Sequence, residues 1–97
     1  MTLIAYVCRK RQITLTLSGE LTVASAGEVR DTLLRAADEP KAEGVCLDMT
    51  GVERMDISAV QLLLALRNDC SKKERKFSVT GMPPSTEHFF AQIGITL

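Results

Sequence analysis

Between Val45 and Leu66 the chain reads V-C-L-D-M-T-G-V-E-R-M-D-I-S-A-V-Q-L-L-L-A-L: a short apolar run, a polar elbow and a long apolar run. Val45, Cys46 and Leu47, set between Gly44 and Asp48, suit a strand covered on both faces. Thr50 and Gly51 supply turn chemistry that ends it. The second run is apolar nearly all round, as a helix gripped between a sheet and other elements must be. Ser58 with Gln61 three residues later fits a capping box at the start of that helix, and Ile57 packed on Leu62 fits its hydrophobic staple. Arg67, Asn68 and Asp69 return the helix to water, with Cys70 following it.

A buried strand feeding a buried helix needs neighbours, and the flanking sequence supplies them. Leu3 to Cys8 and Ile13 to Leu17 read as two strands. In the second, Ile13, Leu15 and Leu17 alternate with Thr14, Thr16 and Ser18, the pattern of a half-buried strand. Arg9-Lys10-Arg11-Gln12 holds no Gly or Asn and predicts a longer hairpin loop, not a two-residue primed turn. Gly19 to Thr22 breaks the second strand and launches a helix from about Ala24 to Ala37, with Ser25 and Glu28 as a capping box or Thr22 as the competing cap. Ala26, Val29, Leu33 and Ala36 or Ala37 mark its packed face, and Pro40 ends it. Ser71 to Lys76 is a charge run whose plain reading is a solvated helix end and loop, with an electrostatic docking patch as the alternative. Phe77 to Thr80 is a last short strand. Pro84 suits the first position of a final helix with Phe89, Phe90 and Ile93 inward and Gly94 as its stop, after which Ile95 and Leu97 fold back.

The order β-β-α-β-α-β-α places the chain in the α/β class, as one domain spanning residues 1–97. Strand-helix-strand crossovers require parallel neighbours, so the opening hairpin makes the four-stranded sheet a mixed one. A chain of 97 residues, 45% apolar, buries a core without disulfides or metal. Lys plus Arg equals Asp plus Glu at 12 each, which removes the electrostatic argument for a nucleic-acid binder. Three cysteines without C-x-x-C spacing argue against a disulfide framework or zinc knuckle, and for a cytosolic setting. The first apolar run is too short for a secretory core, and no segment has the length of a membrane helix.

Pairing Cys8, Cys46 or Cys70 with the sole histidine, His88, makes a nucleophilic dyad or metal site that no spacing recommends, and His88 reads as a surface residue. Asp48, Glu53 and Asp56 around the elbow are oxygen ligands of the kind magnesium takes, but no glycine-rich phosphate loop accompanies them, and turn formation accounts for them as well. No cofactor and no metal site is therefore expected. Ser58 differs: as a cap it stabilises by about 1 kcal/mol, and a phosphoryl group there would meet the positive end of the helix.

At the elbow, Leu47-Asp48-Met49-Thr50-Gly51-Val52-Glu53-Arg54-Met55-Asp56-Ile57-Ser58-Ala59-Val60 resembles the signature of the STAS domain of anti-sigma factor antagonists and sulfate transporters, D-x-S-G-V-x-x-hydrophobic-D-S-S-G. Leu17-Ser18-Gly19-Glu20-Leu21-Thr22 resembles the family's G-E-L-D turn, and Ile93-Gly94-Ile95 its closing motif. The resemblance implies the STAS fold and a non-enzymatic, cytoplasmic binding protein whose phosphoacceptor is Ser58. It implies docking through Thr22, Asp56, Ile57, Ser58 and Ala59, and as partners an anti-sigma factor with serine-kinase activity and a phosphatase. Neither nucleic acid nor membrane insertion enters. Three positions depart from the pattern: Ile57 replaces the first serine, Ala59 the glycine and Thr22 the aspartate. Leu21-Thr22 and V-Q-L-L-L-A-L also resemble a sister branch of accessory subunits that bind the ATPase of a phospholipid-transporting ABC complex without a phosphoswitch. In that branch the residue at Ile57 is a threonine.

Overall fold

The computed structural model describes residues 2–97, with the side chains of residues 2, 3 and 23 outside the description. The expected order holds: β1 (Thr2–Arg9), β2 (Gln12–Leu21), a short 3-10 turn (Val23–Ser25), α1 (Ala26–Ala37), β3 (Gly44–Met55), α2 (Ile57–Lys72), β4 (Lys76–Thr80) and α3 (Pro84–Gln92). The four strands form one mixed sheet in the order β1-β2-β3-β4, with β1 and β2 antiparallel and the other two pairings parallel.

The core is assembled by register. Ile13 lies opposite Val45 and Leu15 opposite Leu47, and these two in turn face Phe77 and Val79. Ile13, Leu15, Leu17, Val45, Leu47 and Met49 are wholly buried. Val29, Leu33 and Ala36 of α1 close over them together with Ala59, Val60, Leu63, Leu66 and Cys70 of α2. The alternate residues of the same strands stay half-buried or exposed: Thr14 and Thr16, Cys46 and Asp48, Ser78 and Thr80. The central strand is thus not covered on both faces as its V-C-L run suggested, because Cys46 counts as apolar in sequence yet points to the open side.

Three boundaries differ from expectation for one reason: ladder hydrogen bonds outweigh local turn preference. Arg9 pairs with Gln12, so the hairpin turns on Lys10 and Arg11 alone, both at positive φ (49° and 66°). That is the sign pattern of a primed turn, whose twist matches the flanking strands although each residue departs from its preferred conformation. β2 does not stop at Leu17 but runs on through Gly19, at φ 79°, to Leu21. β3 passes through Thr50 and Gly51 without turning, and absorbs them as irregularities, since the pairing with β2 shifts between Thr16 and Ser18 and again between Gly19 and Glu20. The local turn chemistry survives inside the strand, where an Asp48 carboxylate oxygen accepts from Thr50 N–H (3.0 Å) and from its hydroxyl (2.7 Å). These bonds hold the Asp48 carboxyl below its usual range. Gly51 is needed there because a Cβ would lie 2.7 Å from Ser18 Cβ.

The helices also extend and tie down more than expected. Arg67, Asn68 and Asp69 do reach solvent, but α2 does not end there: it continues to Lys72 and carries Cys70 buried within it, and burial raises that thiol's pKa. The charge run after it is not merely solvated. Lys73 Nζ donates to Ala37 O (2.6 Å), and Arg75 donates to Ala36 O (3.5 Å), Ala37 O (3.1 Å) and Glu39 O (2.6 Å). Two cations therefore occupy the C-terminal carbonyls of α1, where its dipole is negative. At the other end of the chain, α3 starts at Pro84 and stops before Gly94 at φ 71°. Phe90 is buried against a half-buried Phe89, their centroids 6.3 Å apart, and Ile95 and Leu97 pack back on the core.

Candidate functional site

The parallel strands β2 and β3 end side by side, Leu21 opposite Met55, and each hands its chain to a helix. Leu21 C=O accepts from Asp56 N–H at 3.1 Å, which fixes the entry to α2 against the exit from β2. Asp56, in extended conformation, is the N-cap: its carboxylate accepts from Ala59 N–H at 3.1 Å, and its carbonyl accepts the first helical bond from Val60 N–H at 3.1 Å. The expected cap therefore moves by two residues. Ser58 is the second residue inside the helix, not the cap, and makes no capping box with Gln61.

Moving the cap reassigns its neighbours. The staple positions now fall on Met55 and Val60, both buried. Ile57 is left 48% exposed at the head of α2 instead of packing on Leu62 as expected. Ala59 is buried, so little of it is presented to a partner, while Ser58 is half-buried with its hydroxyl relieved of capping duty. Across the strand ends, Thr22 follows Leu21 directly. Ser25 Oγ accepts from Thr22 N–H and sits 3.1 Å from Thr22 O, closing a tight turn before α1. Ser25 occupies the N-cap position of α1 but caps no helical N–H, so the expected Ser25–Glu28 box is not made either.

Thr22, Asp56, Ile57 and Ser58 thus share one end of the sheet, held together by the Leu21–Asp56 bond. Beside Ser58 lies a cavity of about 290 Å³ lined by Ala26, Gly27, Arg30, Ser58, Gln61 and Leu62. Gly27 and Arg30 were not among the candidates from sequence, because only the docking of α1 beside α2 brings them to Ser58. Their one trace in the sequence is position, since Arg30 falls off the apolar stripe of α1.

The alternative chemistry is dispersed. Cys8 is exposed on β1, Cys46 half-buried on β3 within 4.0 Å of Thr80 Oγ1, Cys70 buried in α2 and His88 exposed on α3. Asp48, Glu53 and Asp56 are strung along and beyond an extended strand, and among the described residues no three His, Cys, Asp or Glu side chains converge as metal ligands. No helix among the described residues is long and apolar enough to cross a membrane.

A mixed four-stranded sheet with this helix order, and a capped helix entering beside the end of β2, defines an anti-sigma factor antagonist-like α/β fold. The family model described as "Mlab, STAS domain" matches residues 4–96, and the chain belongs to that STAS family. No curated protein matches it in sequence. Among solved structures it is similar to an anti-sigma factor antagonist from Mycobacterium paratuberculosis (18% identity, 97% of this chain and 79% of that one, TM-score 0.83). It is similar also to the phosphorylated form of the Bacillus cell fate determinant SpoIIAA (16% identity, 97% and 84% covered, TM-score 0.76). A third is a sulfate transporter family protein from Wolinella succinogenes (16% identity, 91% and 70% covered, TM-score 0.73). At these identities the likeness is one of fold.

Proposed function

We propose that residues 1–97 are a single STAS domain, acting in the cytoplasm as a non-enzymatic regulator whose partner binding is switched by phosphorylation of Ser58. The observation that carries this reading is the position of Ser58: inside the first turn of α2, half-buried, beside a cavity, with Asp56 and not Ser58 serving as cap. A hydroxyl with no capping duty can be modified without unmaking the helix start, and added negative charge sits at the favourable end of the helix dipole. The partner proposed is an anti-sigma factor with serine-kinase activity. It would transfer the terminal phosphoryl of a nucleoside triphosphate to Ser58 Oγ, with loss of the hydroxyl proton and release of the diphosphate. A phosphatase would return inorganic phosphate and the free serine by hydrolysis. Docking uses Thr22, Ile57 and Ser58 directly, with Asp56 and Ala59 shaping the helix start beneath them.

A second reading is favoured by one observation. Ile57 is large, apolar and 48% exposed at the head of α2, and exposed apolar surface suits a permanent subunit contact. On that reading the chain is the accessory subunit of a phospholipid-transporting ABC complex, bound to its ATPase without a phosphoswitch. Pull-downs from the source cell with wild type and Ser58→Asp, identified by mass spectrometry, separate the two. A kinase-fold partner retained by wild type alone, together with phosphate found at Ser58 in protein isolated from its cell, supports the switch. A transporter ATPase retained equally by both sinks it.

A further inference from the structure

The Ser58 cavity does not end at Gln61. Arg30 and Leu62 line it and also line an adjoining groove of about 280 Å³ between α1 and α2, walled mainly by Leu33, Leu34 and Ala65 and closed at its far end by Asp69. The α2 side of this seam is Ser58, Leu62, Ala65 and Asp69, one face of a helix over three turns, or about 16 Å. The α1 side is Arg30, Leu33 and Leu34, again at helical spacing. Leu34 is 53% exposed in this groove and Ile57 48% exposed at the head of α2. Apolar surface of this kind, walled by two helix faces, fits the apolar stripe of a third helix.

Charge selects which helix. Asp69 is already paired with Lys73 at 3.0 Å. Among the described residues Arg30 has no ion pair beyond a loose contact with its own neighbour Asp31, at 3.8 Å with both side chains largely in water, and such pairs contribute little. Arg30 lines both groove and cavity, and its guanidinium carries donors suited to a carboxylate or a phosphate.

We propose that the α1–α2 groove seats an amphipathic helix of the protein partner, with a carboxylate of that helix on Arg30, and that a phosphate on Ser58 dislodges it by taking Arg30 for itself. The groove assignment is independent of the switch; the coupling rests on the proposed phosphorylation of Ser58. The mechanism is competition for one cation between two anions, together with repulsion between them across the shared cavity.

The test uses two synthetic 18-residue amphipathic helical peptides with a leucine stripe, one carrying glutamate and the other lysine at the end of the stripe that meets Arg30. Each is titrated into the full 15N-labelled chain. The expected result is saturable shifts at residues 30, 33, 34, 62 and 65, with the glutamate peptide bound up to about fivefold more tightly, as an exposed ion pair allows. That preference disappears in Arg30→Gln, and Leu34→Glu loses binding while keeping the native amide dispersion. Ser58→Asp weakens the glutamate peptide and leaves the lysine peptide bound at least as tightly as before. Absence of saturable shifts along the groove, or equal affinity for the two peptides, overturns the seat. Ser58→Asp binding the glutamate peptide as wild type does overturns the coupling, whatever the cell partner proves to be. Arg30-dependent peptide binding beside a cell partner indifferent to Ser58→Asp overturns the switch and upholds the groove.

Discussion

Asp56 and Ser58 are both good capping residues two positions apart, and the difference between them decides what Ser58 is free to do. Only Asp56 has its N–H held by Leu21 C=O and its carboxylate on Ala59 N–H. Asp56→Ala should therefore destabilise the fold by about 1 kcal/mol, while Ser58→Ala stays within about 0.5 kcal/mol of wild type. Urea midpoints of the two variants measured side by side check this, and a larger loss at Ser58 would return the cap to it. Asp48 offers a second test. Its carboxyl is depressed by the bonds from Thr50, so the native state binds the proton more weakly than the unfolded chain does. The stabilisation is complete above the ordinary aspartate value, near pH 4, and drains away as pH falls through the lower folded value. The stability gap between wild type and Asp48→Asn should hold constant from about pH 7 to pH 5 and close below about pH 4. A gap unchanged in acid would mean that the Thr50 bonds do not favour the carboxylate.

At the scale of elements, the least expected contribution comes from the residues after α2. Lys73 and Arg75 reach back to the last carbonyls of α1 across more than thirty positions of sequence, so a segment that reads as a solvated charge run closes the α1–β3 connection. Arg75→Gln removes charge-assisted donors from three carbonyls and should cost about 2 kcal/mol. Arg75→Lys should recover only part of that, since one ammonium cannot span the three acceptors as a fork does. Thermal melts of the pair test this: equal stability of Arg75→Gln and wild type would make the contacts incidental. The hairpin and the two long strands teach the same lesson from the other side. Lys10 and Arg11 adopt positive φ, and Thr50 and Gly51 stay extended, because each yields to ladder bonds that a window of local sequence does not contain.

For the whole molecule, the alternation of Ile13, Leu15 and Leu17, the apolar run after Ser58 and the punctuation by Pro40, Pro84 and Gly94 were enough to order the elements and to infer a mixed sheet. Periodicity is a local property that each segment carries with it. The STAS signature around Asp48 to Val60 then located one end of the sheet as the region of interest. Tertiary structure decided the rest. It chose Asp56 over Ser58 as the cap through a bond from a strand more than thirty residues away, left one sheet face open at Cys46, and set Arg30 of α1 beside Ser58 of α2. A chain specifies which faces are apolar by its own periodicity. Which polar groups meet is fixed only when those faces pack, because side chains far apart in sequence become neighbours through the docking of whole elements.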